Sequence, residues 1–186
     1  MNPPTSVTLE TERLVLRPFT MDDLDELAGL QAEPSFWWYP FRRGFTVDET
    51  RDFLVRTIER RDVDGYAVAA VIERSSGLLA GWAGLAVPHF LPEVLPAVEV
   101  GWRFGQAFWH RGYATEAGAA WVDHGFFDRG LDEIVSIFEP ENEASGAVMG
   151  RLGFRLDRVI EQPERGVTLH VTRRSRPADG AGGAPA

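Results

Sequence analysis

The amino-acid sequence predicts a mixed α+β fold in which helices flank one sheet. Strand-like and helix-like segments follow in the order β, α, α, a pair of strands, and then β-α-β-α-β-β. The chain has 186 residues, of which 44% are hydrophobic and 25% charged, as in an ordinary single-domain globular protein. We therefore expect one domain over residues 1–175 and a disordered tail, rich in Pro, Gly and Ala, over residues 176–186.

The first strand and helix are marked by their boundary residues. Residues 13–17 have the composition of a strand, and Pro18 ends it because proline cannot continue a central ladder. Thr20 and Asp23 then match a capping box. Apolar residues recur on one helical stripe over residues 24–31, which predicts a helix.

An aromatic segment separates this helix from the next one. Residues 33–45 show neither helical nor strand periodicity and predict a loop. Thr46 and Glu49 match a second capping box, so we expect a helix that runs to about Arg61. Two strands then form a hairpin, over residues 66–73 and 79–87.

The strand over residues 98–104 has the clearest alternation in the chain. Its apolar side chains share one face, while Glu99 and Arg103 share the other. Small residues from Ala114 onward follow the spacing of a helix that packs on a sheet. The remaining elements are a strand, a helix and two final strands, over residues 134–138, 143–152, 154–160 and 167–172.

Composition excludes several classes of function. The chain has no Cys, so a thiol nucleophile, a disulfide and Cys-ligated zinc are ruled out. His89, His110, His124 and His170 lack metal-ligand or triad spacing, and we expect no metal. The net charge of -9 disfavours a nucleic-acid partner. No signal peptide or membrane span is evident, so we expect a cytoplasmic protein without a membrane partner.

The turn over residues 109–115 lies between a strand and a small-residue helix. No Ser, Thr, Asp or Asn stands immediately before Tyr113 to cap that helix, so its first N–H groups are free to bind an anion. Gly112 permits a close backbone approach, and Ala114 keeps the first turn slim. An ordinary strand-to-helix turn would have the same residues, so this segment alone leaves both interpretations open.

Several further segments, together with this turn, resemble the motifs of one known family in their order and spacing along the chain. Residues 109–114 resemble the acetyl-CoA signature of the GNAT superfamily, Gln/Arg-x-x-Gly-x-Gly/Ala, with Trp109 at the first position. The chain also resembles the Rim-type branch, the ribosomal-protein alanine/serine N-terminal acetyltransferases, at residues 11–17, 99–102, 112–117 and 142–154. The resemblance implies the GNAT fold, which has a mostly antiparallel twisted sheet with a splayed strand pair and about four flanking helices.

The same resemblance implies acetyl-CoA as co-substrate. Backbone amides of residues 111–115 would hold its pyrophosphate, and main-chain groups of Trp102 and Phe104 its pantetheine arm and acetyl carbonyl. Asn142 would contact the cofactor or a water molecule, and it is also a good helix N-cap. The implied cofactor-binding residues are Trp102, Arg103, Phe104, His110, Arg111, Gly112, Tyr113, Ala114, Thr115, Asn142 and Ser145.

The implied reaction is direct attack of an amine on the thioester through a tetrahedral intermediate. Glu99 is the candidate base, since its apolar neighbours would raise its pKa, but an ion pair with Arg103 explains it equally well. Ser145 matches a Ser of the Rim-type branch suspected of hydrogen bonding the leaving sulfur. It could also be a small helix residue bonded to a preceding carbonyl. Met149 stands where many GNAT enzymes have a Tyr.

The acceptor side is the least specified part of the site. The resemblance implies that Trp37, Trp38 and Tyr39 wall it, although core packing or a subunit contact in a homodimer would explain these aromatics too. The expected acceptor is a primary amine, either a protein N-terminus or a small molecule. A non-catalytic acyl-CoA-binding regulatory module is the alternative function.

Overall fold

A computed structural model of the chain describes residues 7–178 as an eight-stranded sheet with helices on both faces. The sheet order is β1-β2-β3-β4-β5-β6-β8-β7. The strands are β1 (Leu9–Glu10), β2 (Leu14–Arg17), β3 (Val68–Glu73), β4 (Leu79–Ala86), β5 (Glu99–Phe104), β6 (Glu133–Phe138), β7 (Arg155–Gln162) and β8 (Val167–Ser175). All neighbouring strands pair antiparallel except β5 and β6, which are parallel.

Four helices of eight or more residues and one single-turn helix accompany the described strands. They are α1 (Leu24–Ala32), α2 (Trp38–Phe41), α3 (Val47–Asp64), α4 (Tyr113–Asp123) and α5 (Glu143–Arg151). The start of α3 follows from its sequence, because the Thr46 hydroxyl accepts the Glu49 N–H and the Glu49 side chain accepts the Thr46 N–H. None of the helices over residues 7–178 has both the length and the apolarity needed to cross a membrane.

The two faces of the sheet carry different helices because strand side chains alternate. On one face, Val100 of β5 belongs to the same buried cluster as Trp121 of α4. On the other face, Ala70 of β3 packs with Leu27 of α1 and Leu54 of α3. Since Glu99 and Arg103 lie on the α1–α3 side of β5 and Val100 on the α4 side, β5 separates two chemically different environments.

The predicted α+β fold is confirmed, with two differences in detail. Strand β1 was not expected, since two residues are too few to show an alternating pattern. The aromatic segment expected as a loop contains the single turn α2, in which Tyr39 keeps non-helical dihedral angles. Of the expected tail, residues 179–186 lie outside the described part of the chain.

The parallel pair β5–β6 is joined over a very short length. Glu99 and Val135 are the one pair in register, and the Val135 N–H donates to the Val98 carbonyl at 3.0 Å. In a continued parallel ladder the next bond would join the Ile137 N–H to the Val100 carbonyl. Instead, the Ser136 hydroxyl donates to the Val100 carbonyl at 2.8 Å. Beyond this point the strands diverge, which confirms the expected splayed pair.

We predict that Ser136→Ala destabilises the protein because it removes a buried donor to the Val100 carbonyl. Ser136 is 1% exposed, and leaving such a carbonyl unpaired costs roughly 1–3 kcal/mol of unfolding free energy. Urea denaturation followed by circular dichroism measures the change. Ser175→Ala, at the exposed end of β8, is the matched control. Equal stabilities of the two variants would show that the Ser136 hydroxyl bond contributes nothing.

Candidate active site

A cavity of about 830 Å³ lies at the end of β5, beyond the position where β5 pairs with β6. Its walls are the end of β5, the starts of α4 and α5, and the segment that contains α2. The lining residues are Pro34, Ser35, Phe36, Trp38, Tyr39, Trp102, Arg103, Phe104, Phe108, Trp109, His110, Gly112, Tyr113, Ala114, Thr115, Asn142, Ala144, Ser145, Ala147, Val148 and Arg151.

The start of α4 has the properties of an anion-binding site. Gly112 is its N-cap with φ of 79°, and no side chain caps the helix. His110 also has a positive φ, of 59°, so two left-handed residues turn the backbone just before the helix. The first N–H groups of α4 therefore face the cavity side of the turn without a side-chain acceptor, as the sequence predicted.

A buried carboxylate of β3 fixes the turn before α4 by hydrogen bonds to residues on both sides of Gly112. Glu73 is 6% exposed and accepts hydrogen bonds from the Tyr113 hydroxyl at 2.5 Å and from Arg111 at 2.9 Å. The Ser76 hydroxyl donates to its other oxygen at 2.6 Å. Hydrogen bonds from Ser76 and Tyr113 lower the pKa of Glu73, so the carboxylate remains charged while it fixes both sides of Gly112.

A second carboxylate joins the turn to the N-terminal strands. Glu116 of α4 accepts from the Thr11 hydroxyl at 2.6 Å and from the Arg13 Nε at 2.7 Å. Arg13 also donates from Nη1 to the Arg111 carbonyl at 2.8 Å. The two motifs quoted above, residues 11–17 and 112–117, therefore contact each other directly.

Glu99 is the one residue of β5 in register with β6, and its side chain lies on the sheet face opposite α4. Burial raises its pKa to about 8, although a hydrogen bond from the Ile137 backbone N–H and the positive charge of Arg103 both oppose the increase. The ion pair with Arg103 that the sequence left open is not formed among the described residues. Glu99 is thus an acid whose pKa lies in the range useful for general base catalysis.

Arg103 extends from β5 into a group of aromatic rings. Its guanidinium carbon lies 4.3 Å from the centre of the Trp37 ring and 5.7 Å from that of Trp82. Nη1 donates to the Phe36 carbonyl at 3.0 Å. Burial lowers the pKa of Arg103 to about 10, against the opposing charges of Glu99 and Glu139, and the group stays positive at neutral pH.

The start of α5 forms the wall opposite α4. Asn142 is the N-cap of α5, and its side chain accepts the Ser145 N–H at 3.3 Å. Ser145 lines the cavity, whereas Met149, one turn later, is 3% exposed and accepts the Thr172 hydroxyl. Small residues on one face of the helix, Ala144 among them, keep this wall low.

The aromatic segment divides between core and cavity. Trp37 is 6% exposed and stacks on Phe45 with ring centres 4.4 Å apart, so it belongs to the packed interior. Trp38, which is 48% exposed, and Tyr39 line the cavity. The Tyr39 hydroxyl donates to the Glu141 carbonyl at 3.0 Å, which joins this segment to the start of α5.

The cavity contains most of the residues that the sequence singled out. Twelve of the predicted side chains line it, whereas Glu99, Arg111 and Trp37 do not. Arg111 is held by Glu73, Trp37 supports Arg103, and Glu99 lies beside the point where β5 and β6 part. Among residues 7–178 no group of three or more His, Cys, Asp or Glu side chains could hold a metal ion.

Sequence reasoning missed some of the wall. The rest of the α5 wall could have been found, because Ala144, Ala147, Val148 and Arg151 are spaced i, i+3, i+4 and i+7 along one helical stripe next to Ser145. The turn Gln106–Phe108 also contributes Phe108. The segment before α2 carries no periodic signal that could have predicted which side chains face the cavity.

Comparison with known proteins identifies the family. The model of the acetyltransferase (GNAT) domain matches residues 13–155. An uncharacterized N-acetyltransferase of Bacillus licheniformis, p20, is 28% identical over 160 residues, which cover 85% of this chain and 88% of that protein.

Solved structures share the fold. An acetyltransferase of Agrobacterium tumefaciens has a TM-score of 0.74 at 26% identity and covers 90% of this chain and 94% of its own. The ribosomal-protein alpha-N-acetyltransferase RimL, solved in complex with coenzyme A, has a TM-score of 0.76 at 18% identity over 91% of this chain and 98% of its own. With its splayed strands, its uncapped helix start and this family match, the chain belongs to the GNAT acetyltransferase family and has a Rim-like fold.

Proposed function

We propose that this acetyltransferase transfers the acetyl group of acetyl-CoA to a primary amine, either a protein N-terminus or a small molecule, by direct attack. The observation that carries the proposal is a cavity of about 830 Å³ that extends from the uncapped start of α4 to the end of β5 that does not pair with β6. The anion site and the end of the strand that carries the raised-pKa carboxylate Glu99 thus border one space large enough for two substrates.

The residues of the α4 turn fit the pyrophosphate of acetyl-CoA. Backbone N–H groups of residues 111–115 would bind it, with the helix dipole adding attraction. The edge of β5 beyond Gly101 has no pairing with β6, so main-chain groups of Trp102 and Phe104 are available to the pantetheine arm. Acetyl-CoA would supply the activated acyl group, and Asn142, at the start of α5, would contact it or a water molecule.

Glu99 would remove the amine proton, directly or through a water molecule. As the N–C bond forms and the C–S bond breaks, the proton passes to Glu99 and the sulfur leaves with its electron pair. Because a thiol pKa is about 8.5, the sulfur can leave largely as thiolate. Ser145 is the matched hydroxyl that could donate to it, since Met149 cannot.

The proposal is tested by thiol release from acetyl-CoA across a panel of primary amines. The panel includes tripeptides that begin with Ala or Ser, small polyamines and free amino acids. Release that depends on an amine, with the N-acetyl product confirmed by mass spectrometry, is the expected result. Binding of acetyl-CoA without release on any amine would indicate the non-catalytic module instead.

We predict that Gly112→Val weakens acetyl-CoA binding by about 10-fold or more, because a β-branched residue is strained at positive φ and obstructs the backbone approach. Titration calorimetry with acetyl-CoA measures the dissociation constant. Gly166→Val is the control, since Gly166 also has a positive φ, of 63°, with no atom within 4 Å of an added Cβ. Unchanged affinity in a folded Gly112→Val protein would contradict the assignment of this turn.

We predict that Glu99→Gln lowers kcat by about 100-fold or more while acetyl-CoA affinity stays nearly constant. In the wild type, kcat/KM should increase as pH rises through about 8, because the carboxylate form is the base. The variant should lose this limb of the pH profile. Glu93→Gln, at an exposed position, is the control and should keep it.

Stability separates this effect from unfolding. The pKa of Glu99 is raised from 4.5 to about 8 on folding, so the wild type loses stability as pH rises between those values, whereas Glu99→Gln does not. The variant should therefore melt no lower than wild type at pH near 8. A variant with wild-type kcat and an unchanged pH limb would show that Glu99 is structural.

A further inference from the structure

The guanidinium of Arg103 is a charge without a counter-ion in the wall of the cavity. Arg103 lines the cavity, and among residues 7–178 it forms no ion pair with any carboxylate. Charged groups that are removed from water are normally paired with an opposite charge. The missing partner is therefore expected to come from a bound molecule.

The protein holds this guanidinium in place without using all its donors. The rings of Trp37 and Trp82 fix its position, and Nη1 is bonded to the Phe36 carbonyl at 3.0 Å. The buried Nε has no hydrogen-bond partner in the described structure. An arginine has five N–H donors in a planar fork, so donors remain for a planar anion such as a carboxylate.

The neighbouring acidic groups do not neutralise Arg103. Glu139 forms an ion pair with Arg42, and it acts on Arg103 through space. Glu99 has a pKa of about 8, so it is mostly protonated at neutral pH. Arg103 keeps its charge because its own pKa is about 10. The group therefore carries a net positive charge of about one.

The sheet separates Arg103 from the site assigned to the pyrophosphate of the acetyl donor. Arg103 lies on the α1–α3 side of β5, whereas Phe104 and Val100 belong to the cluster with α4. The pyrophosphate site is assigned to the start of α4, on the other face. The Arg103 fork thus faces the side from which the acceptor would approach, beside Trp38 and Tyr39.

We propose that the acceptor is a free amino acid, whose carboxylate is bound by Arg103 while its amine faces the thioester. The N-terminus of a protein has an amide in place of this carboxylate and would leave the guanidinium unpaired. An apolar side chain on the acceptor would contact Trp38 and Tyr39. This inference rests on the proposed acetyl transfer, and it narrows the acceptor to a small molecule.

The experiment compares matched acceptors that differ only in the carboxylate. The pairs are phenylalanine with phenylalaninamide and alanine with alaninamide, assayed by thiol release with acetyl-CoA. We expect kcat/KM for the acids to exceed that for the amides by about 10-fold or more, since a site built for a polar group discriminates strongly against its absence. The amides have the less basic amines, so intrinsic reactivity opposes the expected order.

Three variants assign the preference to Arg103. Arg103→Gln should reduce the acid-to-amide ratio of kcat/KM to near one, and Arg103→Lys should keep part of it because the charge remains without the fork. Arg129→Gln is the matched control. Arg129 is also stacked on an aromatic ring, Tyr66, and has an unbonded Nε, but it does not line the cavity. Its loss should leave the ratio unchanged.

Each outcome decides the inference. Equal kcat/KM for acids and amides in the wild type overturns it, as does an Arg103→Gln protein that keeps the wild-type ratio. If Arg103→Gln does not fold, the acid-to-amide ratios of kcat/KM in the wild type and in Arg103→Lys still test the inference. If no amine of any kind releases thiol, the proposed function itself fails. Reaction of amides and tripeptides as fast as amino acids leaves acetyl transfer intact and refutes only the carboxylate site.

Discussion

The site depends on the interruption of hydrogen bonding between β5 and β6. A parallel ladder broken in the interior would leave a carbonyl and an N–H unpaired, at a cost in stability. Here side chains satisfy both groups: the Ser136 hydroxyl donates to the Val100 carbonyl, and the Ile137 N–H donates to the Glu99 carboxylate. The strands can therefore diverge without orphaned groups, and the proposed base is held at the point of divergence.

The turn before α4, to which we assign the pyrophosphate, is held in shape by two acidic residues, Glu73 and Glu116. Carboxylates close to a pyrophosphate site would repel the ligand if they were unpaired. Glu73 is paired with Arg111 and Glu116 with Arg13, so their charges are offset locally. The hydrogen bonds to Tyr113 and to the Arg111 carbonyl then fix the backbone around Gly112. Rigidity is thus obtained without placing a free negative charge at the site.

The sequence was sufficient where local chemistry determines structure. Alternation in β5, the capping boxes and the uncapped start of α4 all depend on residues close in the chain, and each was predicted. The splay of β5 and β6 was expected from family resemblance. The hydrogen bond that satisfies the Val100 carbonyl at this point comes from Ser136, 36 positions away in the chain, and no local pattern predicts it. No spacing rule shows that Trp37 points inward and Trp38 outward, because the segment lacks a period and tertiary packing decides. The role of Arg103 likewise depends on rings contributed by other elements.

Burial of Glu99 bears directly on the chemistry of the amine. In water, an alkyl ammonium with a pKa of about 10.4 and a glutamic acid with one of about 4.3 are separated by roughly six units, so proton transfer between them is strongly unfavourable. Desolvation raises the pKa of Glu99 to about 8. It would also lower the pKa of an ammonium placed beside it, because burial disfavours both charged forms. Transfer of the proton then replaces two buried charges by two neutral groups.

The nearby positive charge of Arg103 also affects both pKa values. It lowers the pKa of the ammonium, as burial does, but it lowers the pKa of Glu99 as well, against the effect of burial. A carboxylate bound to Arg103 would cancel that charge. The apolar surroundings alone would then set the equilibrium of proton transfer from the ammonium to Glu99, which produces the neutral amine that attacks.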